Sequence, residues 1–445
     1  MKELSKSFLW GAATSSFQIE GASEQDGKGL SVWDDYCRQM NRVSDHSDGK
    51  VACDHYNRTE SDVQLMQDLG LQAYRFSIAW PRILPAGIGA IESRGLDFYE
   101  RLVDNLLAKG IEPFPTLYHW DLPLELHHRG GWTNPDMPHW FGEYTAAVMG
   151  RLGDRVKNWT TLNEPHVFTL LGYQIGNHAP GHTSRVEYLK AIRNALLAHG
   201  TAAQIIHQAG PEFRVGIANA HLCLEPLTPA DGLAANILDQ FTNRIFLDPI
   251  IHGTVPMAVA EEMEKFGVRI SSQDLQTIHQ PLEFAGVNYY MRMLASITGN
   301  PQRPYLLQHP NYPGASITEV GWEVYPKGLE KVLDVYRNDY NNIPTYITEN
   351  GAAYSDGPNA EGIIEDTRRI EYYRSHFEAL QTARQKGCDV RGYFAWSLMD
   401  NFEWAHGYSQ RFGLIFVDYA NNCKRIFKNS ALWYRDWINA FCMQR

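Results

Sequence analysis

The stretch LDFYERLVDNLLAKGIEPFPTLY, residues 96–118, decides the fold. Leu96, Tyr99, Leu102, Val103, Leu106 and Leu107 recur at helical spacing and mark one apolar face, the signature of an amphipathic helix. Gly110 ends that run, and residues 111–118 follow as an apolar β-run with Pro113 and Pro115 near its start. Helix, glycine, strand is the repeat of a chain whose crossover helices join parallel strands. The same unit occurs upstream: Val63, Leu65, Met66 and Leu69 form a helical run with Ser61 or Asp62 as its N-cap, Gly70 closes it, and 73–78 reads as a strand.

Working outward, further strand candidates fall at 8–13, 157–162, 213–219, 283–289, 344–348 and 390–397, mostly separated by helical stretches. Alternation alone also fits an open doubly wound sheet or two smaller α/β domains. Eight units favour closure into a single (β/α)₈ barrel, and no Gly/Ser/Pro-rich linker or internal repeat divides residues 1–445. The connections near 14–60, 119–140, 165–187, 220–245, 290–325 and 398–425 are long and rich in Trp, Tyr, His, Gly and Asn. In a barrel, loops after the strand C-termini build the active site.

A chain of 445 residues buries a large core without a disulfide or metal staple. The net charge of -11 carries no run of like charge, which argues against nucleic acid as a partner and suits a neutral small molecule. Six cysteines are scattered without C-x-x-C spacing, the pattern of reduced thiols in a cytoplasmic protein. Met1–Ser7 has no apolar core of a secretory signal, and no run approaches the 18 apolar residues of a membrane span. None of the seventeen histidines forms an H-E-x-x-H pair, so neither a metal nor a cofactor is expected. Composition does not fix the oligomeric state.

The sharpest chemical features lie where β-runs stop. Trp159–Leu162 leads into Asn163-Glu164-Pro165, and Tyr346-Ile347-Thr348 leads into Glu349-Asn350-Gly351. Each places one carboxylate beyond an apolar run, beside an Asn and a Pro or Gly that breaks the strand. A single glutamate there reads more readily as an exposed or capping charge; two in matching contexts reverse the balance and fit glycoside hydrolysis, which needs a pair of carboxylates flanking the scissile bond.

The chain resembles glycoside hydrolase family 1, the β-glucosidase family, nearly end to end. The resemblance is carried by FLWGAATSSFQIEG (8–21), YRFSIAW (74–80), YHWDLP (118–123), TLNEP (161–165), VNYY (287–290), ITENG (347–351) and NFEW (401–404). It implies a barrel, a retaining mechanism, Glu164 as acid/base and Glu349 as nucleophile. It further implies that Arg75 keeps Glu349 charged, that the Tyr290 hydroxyl donates to it, and that Asn163 supports the site and holds a 2-hydroxyl. Gln18, His119 and Glu403 become hydroxyl ligands, with Trp120, Trp396 and Trp404 as walls, stacking floor and indole donor, and Trp322 on the leaving-group side. Each has a plainer reading as well: Tyr290 and His119 as core residues, Arg75 as a structural ion pair, Trp396 as barrel packing, Trp120 as either wall or core.

Among relatives, those acting on 6-phosphoglycosides typically carry Ser where this chain has Glu403, a carboxylate that would repel phosphate. Thioglucosidase relatives carry Gln where Glu164 stands. The implied substrate is therefore an unphosphorylated β-O-glucoside, aryl, alkyl or cello-oligosaccharide, with β-galactosides and β-fucosides as further candidates. A 6-phospho-β-glucosidase or a non-catalytic sugar-binding barrel is the alternative, and transglycosylation remains compatible. His166 departs from the large aromatic residue common in the family after Asn-Glu-Pro.

Overall fold

Eight parallel strands close in chain order: β1 (Leu9–Ala13), β2 (Ala73–Ser77), β3 (Glu112–Tyr118), β4 (Asn158–Asn163), β5 (Arg214–Ala220), β6 (Phe284–Asn288), β7 (Thr345–Asn350) and β8 (Val390–Trp396). β8 returns to pair with β1, Gly11 facing Phe394 on one side and Ala73 of β2 on the other. This computed structural model describes residues 8–300 and 303–443; the reading of Met1–Ser7 lies outside the described residues. All eight strands stand where the sequence predicts them, and the architecture is the closed barrel rather than an open sheet or two domains' sheets.

Most strand side chains, polar ones included, are buried because both faces of the sheet are covered. Inside the barrel the Phe114 ring sits 5.2 Å from Phe394, 5.9 Å from Phe284 and 5.1 Å from Tyr346. Glycines make room for this layer: a Cβ at Gly216 would lie 2.1 Å from the Phe284 ring, and one at Gly11 2.7 Å from the Phe394 ring. Outside, the helix Ser93–Ala108 buries Leu96, Phe98, Tyr99, Leu102, Val103 and Leu106, each large apolar side chain contributing about 1.5–3 kcal/mol. Leu107, expected on that face, is 41% exposed, because the stripe narrows near the last turn.

The helix before β2 corrects a second expectation. It spans His55–Asp68 and starts after Asp54, which is in the left-handed region at φ 55°. Ser61 and Asp62 therefore lie inside it and cap nothing. Asp62 is fully buried and accepts from Arg425 at 2.8 and 2.9 Å, with His55 Nδ1 at 2.8 Å. A long-range ionic contact with the hairpin Ile415–Asp418/Lys424–Phe427 has taken the carboxylate that local chemistry would assign to a cap.

The long connections carry structure of their own. They include the helices Ser16–Ile19, Leu124–His128 and Pro165–Thr169, and a three-stranded sheet of Cys223–Pro226, Arg292–Ile297 and Tyr305–Gln308. No helix among the described residues is long and apolar enough to cross a membrane.

Candidate active site

Glu164 follows β4 directly, with φ 48° and ψ 58°, and Pro165 opens the helix Pro165–Thr169. The left-handed backbone, unusual for a non-glycine residue and more so before proline, turns the carboxylate off the line of the strand. Glu349 lies on β7 where pairing with β6 shifts register, Ile347 facing Val287 but Glu349 facing Asn288. Such a slip re-aims a side chain. Both carboxylates are buried, 8% and 3% exposed, at the C-terminal mouth of the barrel.

Arg75 on β2 organises the space between them. Its Nη1 donates to Glu349 Oε1 at 2.6 Å and its Nη2 to Asn163 Oδ1 at 2.6 Å. The Tyr290 hydroxyl donates to the other Glu349 oxygen at 2.7 Å. Asn288, at the end of β6, donates to Glu164 Oε1 at 2.8 Å and to Asn163 Oδ1 at 3.1 Å. Its proximity also favours the charged form of Glu349. Asn163 Nδ2 then faces His119 Nε2 at 2.9 Å. Since Asn163 must present its oxygen to Arg75, this ring nitrogen accepts and the His119 proton sits on Nδ1.

The two acids differ in their surroundings. Burial, then the neighbouring Glu349 charge, pushes Glu164 up to about 8, with Asn288 and Arg75 opposing. Burial also raises Glu349, but the Arg75 cation, its bond, the Tyr290 hydroxyl and Asn288 all pull it back. Two adjacent carboxyls with unequal stabilisation of the anion share their proton unequally; the proton belongs to Glu164 and the charge to Glu349. Burial, with Glu349 and Glu164 nearby, keeps Tyr290 a neutral donor. Burial and Arg75 hold His119 neutral.

Polar and aromatic groups complete the pocket. Gln18 Nε2 reaches Phe402 O at 2.8 Å, Asn401 Oδ1 at 3.0 Å and Glu403 Oε2 at 3.3 Å, tying the loop after β1 to the loop after β8. Burial and Glu349 push Glu403 up to about 8. The His119 ring lies nearly parallel to Trp396 at 5.8 Å and to Trp404 at 6.0 Å. Trp120 packs 4.7 Å from Trp404, and its indole N–H is taken by the Asn163 carbonyl at 3.0 Å, which makes it a wall rather than a donor. Trp120 and Trp404 share the left-handed backbone of Glu164, at φ 79° and 49°. Trp322 stands half-buried against Tyr290 (5.1 Å) and Phe412 (6.0 Å). His166, two residues past Glu164, is buried, which lowers its imidazole to about 4.

Asn288, Thr348 and Asn350 lie within VNYY and ITENG, but local sequence assigns them no task. Asn350 braces the end of β7, donating to the Tyr289 carbonyl at 2.6 Å and to the Tyr372 hydroxyl at 2.8 Å. The available signal is an asparagine ending β6 and β7 as Asn163 ends β4. Among the described residues, no group of three or more His, Cys, Asp or Glu is placed to hold a metal ion.

A (β/α)₈ barrel with two buried, unequally supported carboxyls at its C-terminal mouth, walled by indoles and hydroxyl-binding groups, has the makings of a glycoside hydrolase. Comparison with known proteins agrees. The chain belongs to glycosyl hydrolase family 1, whose model matches residues 1–441. It is 42% identical to a 1,4-β-D-glucan glucohydrolase of Thermotoga neapolitana, covering 98% of both chains. It is 41% identical to β-glucosidase A of Thermotoga maritima, again over 98% of both. A solved structure of the β-glucosidase from Thermotoga maritima in complex with castanospermine superposes with a TM-score of 0.95 at 41% identity, covering 99% of each chain.

Proposed function

We propose that this hydrolase is a retaining β-glucosidase acting on unphosphorylated β-O-glucosides, with Glu164 as acid/base and Glu349 as nucleophile. The observation that carries the reading is the asymmetry between the acids: Glu349 is bonded by a guanidinium and a phenol, Glu164 by a neutral amide. In the first step Glu349 attacks the anomeric carbon while Glu164 protonates the leaving oxygen; the C–O bond breaks and a glycosyl ester forms on Glu349. In the second, ionised Glu164 takes a proton from water, whose oxygen attacks the same carbon and releases Glu349. Asn163 and Asn288 border the position of the 2-hydroxyl, and Gln18, His119 and Glu403 that of the outer hydroxyls. Trp396 and Trp404 bracket the ring's apolar face, and Trp322 bounds the leaving group.

The names glucan glucohydrolase and β-glucosidase among the relatives support glucosides as substrates, cello-oligosaccharides among them, and Glu403, an acid bonded to Gln18 rather than to a cation, disfavours a 6-phosphate. We assign all of residues 1–445 to one catalytic barrel. The six cysteines are free thiols, which supports a reducing, cytoplasmic setting.

The test is release of nitrophenol from β-nitrophenyl glucoside, with the first-formed anomer of glucose followed by NMR. The β-anomer should appear first, E349G should abolish turnover, and E164A should slow poor leaving groups most. An α-anomer as first product, or wild-type rates in both variants, would overturn the assignment. A 6-phosphoglucoside cleaved in preference to the glucoside would overturn the substrate class.

A further inference from the structure

Thr348 stands immediately before Glu349 and takes no part in the chemistry described above. It is fully buried, and its Oγ1 lies 2.7 Å from Asn288 Oδ1. The direction of that bond follows from its neighbours. Arg75 only donates, so Asn163 must present Oδ1 to it. Asn288 faces this same oxygen and Glu164 Oε1, two acceptors, so it must present its NH₂ to both. The Asn288 carbonyl is left facing Thr348, whose hydroxyl must donate. Thr348 is seated for this over Gly286, where a Cβ would come within 2.9 Å of the threonine side chain.

We infer that Thr348 is a positioning residue for the acid: by donating to Asn288 it holds an amide N–H against Glu164 Oε1, so that Glu164 carries its transferable proton on Oε2. The inference rests on the acid/base role proposed for Glu164. An oxygen already facing an N–H serves best as the carbonyl end of a carboxylic acid, which leaves the hydroxyl to the other oxygen. Without the threonine hydroxyl, the Asn288 carbonyl loses its buried donor, and the amide gains a reason to rotate away from Glu164.

Thr348→Val removes the donor at nearly constant shape, whereas Thr348→Ser keeps the donor and drops the methyl. Rates of aryl β-glucosides with good and poor leaving groups, measured across pH on folded protein, separate the two effects. Glu349, Arg75 and Glu403, the charged groups that also act on Glu164, are the same in every variant. T348V should cut kcat/KM for the poor leaving group about tenfold or more, well within the worth of general acid catalysis, and spare the good one. Its basic limb should move to higher pH, since Asn288 is one of the groups that lower Glu164. T348S should stay near wild type. If T348V does not fold, T348A carries the same expectation. A donor-less variant with wild-type limb and leaving-group dependence would overturn the inference, as would T348S shifting as far as T348V. Were E164A itself to keep wild-type leaving-group dependence, the role of Glu164 would fail first, a result separable from failure at Thr348 alone.

Discussion

Arg75 and Glu349 are joined at 2.6 Å with both side chains almost sealed from solvent. A pair this deep is held by mutual need: each charge has lost its water, and removing one strands the other. Because the second nitrogen of the guanidinium fixes Asn163, the same side chain sets the charge of one acid and the orientation of the amides beside the other.

Arg75→Met is therefore expected to lower kcat/KM by roughly 3 kcal/mol, or about a hundredfold. Loss of the cation also raises Glu349, so the acid limb of the pH profile should move to higher pH. Steady-state kinetics across pH check both effects, and an unmoved acid limb would contradict the pairing.

The kcat/KM profile of the intact enzyme should be bell-shaped. Activity rises as Glu349 ionises and falls as Glu164 loses its proton near pH 8. Glu403 titrates in the same range, so E403Q separates them: a basic limb that persists in E403Q and vanishes in E164A belongs to Glu164.

Trp322→Ala should raise KM for aryl glucosides about three- to tenfold, the worth of one aromatic contact, with kcat little changed. Methyl glucoside, with no ring to stack, should be nearly indifferent. Paired KM measurements on the two substrates decide it.

His166→Trp should change leaving-group preference more than it changes turnover of a simple aryl glucoside. A neutral imidazole offers one donor and one acceptor, whereas an indole adds apolar area. The ratio of kcat/KM for cellobiose to that for an aryl glucoside is expected to fall, and equal change for all leaving groups would count against the placement.

Asp62→Asn should cost about 3 kcal/mol of stability at pH 7. Burial pushes the Asp62 carboxyl up, but the bonds and charges of His55 and Arg425 outweigh it and hold it below its ordinary 3.8. Its contribution is therefore present above that value and is lost as pH falls through the folded one. Denaturant unfolding of wild type and D62N should differ at neutral pH and converge in acid.

The contrast between Asp62 and Glu164 explains what the sequence makes legible. Glu164 was recognisable because its cues are local: an apolar β-run, an asparagine before it and a proline after it. Asp62 was misread because its partner Arg425 lies 363 positions away, and a long-range ion pair leaves no trace in nearby residues. Asn288 falls between these cases. It lies within a motif, but its task appears only when the ends of β4, β6 and β7 meet at the mouth of the barrel. Leu107 marks the limit of periodicity, which gives the axis of an apolar stripe but not where burial stops. The strands themselves are readable because a doubly covered strand carries several consecutive apolar residues.

Closure of the ring by β1 and β8 carries a consequence for biosynthesis. Gln18 emerges from the ribosome early, yet its partners Asn401, Phe402 and Glu403 arrive more than 380 residues later. A nascent chain halted before β8 already contains both acids but no completed grip on a sugar. Ligand recognition thus becomes available only after translation has delivered nearly the whole polypeptide, and tight substrate binding reports a fully assembled molecule.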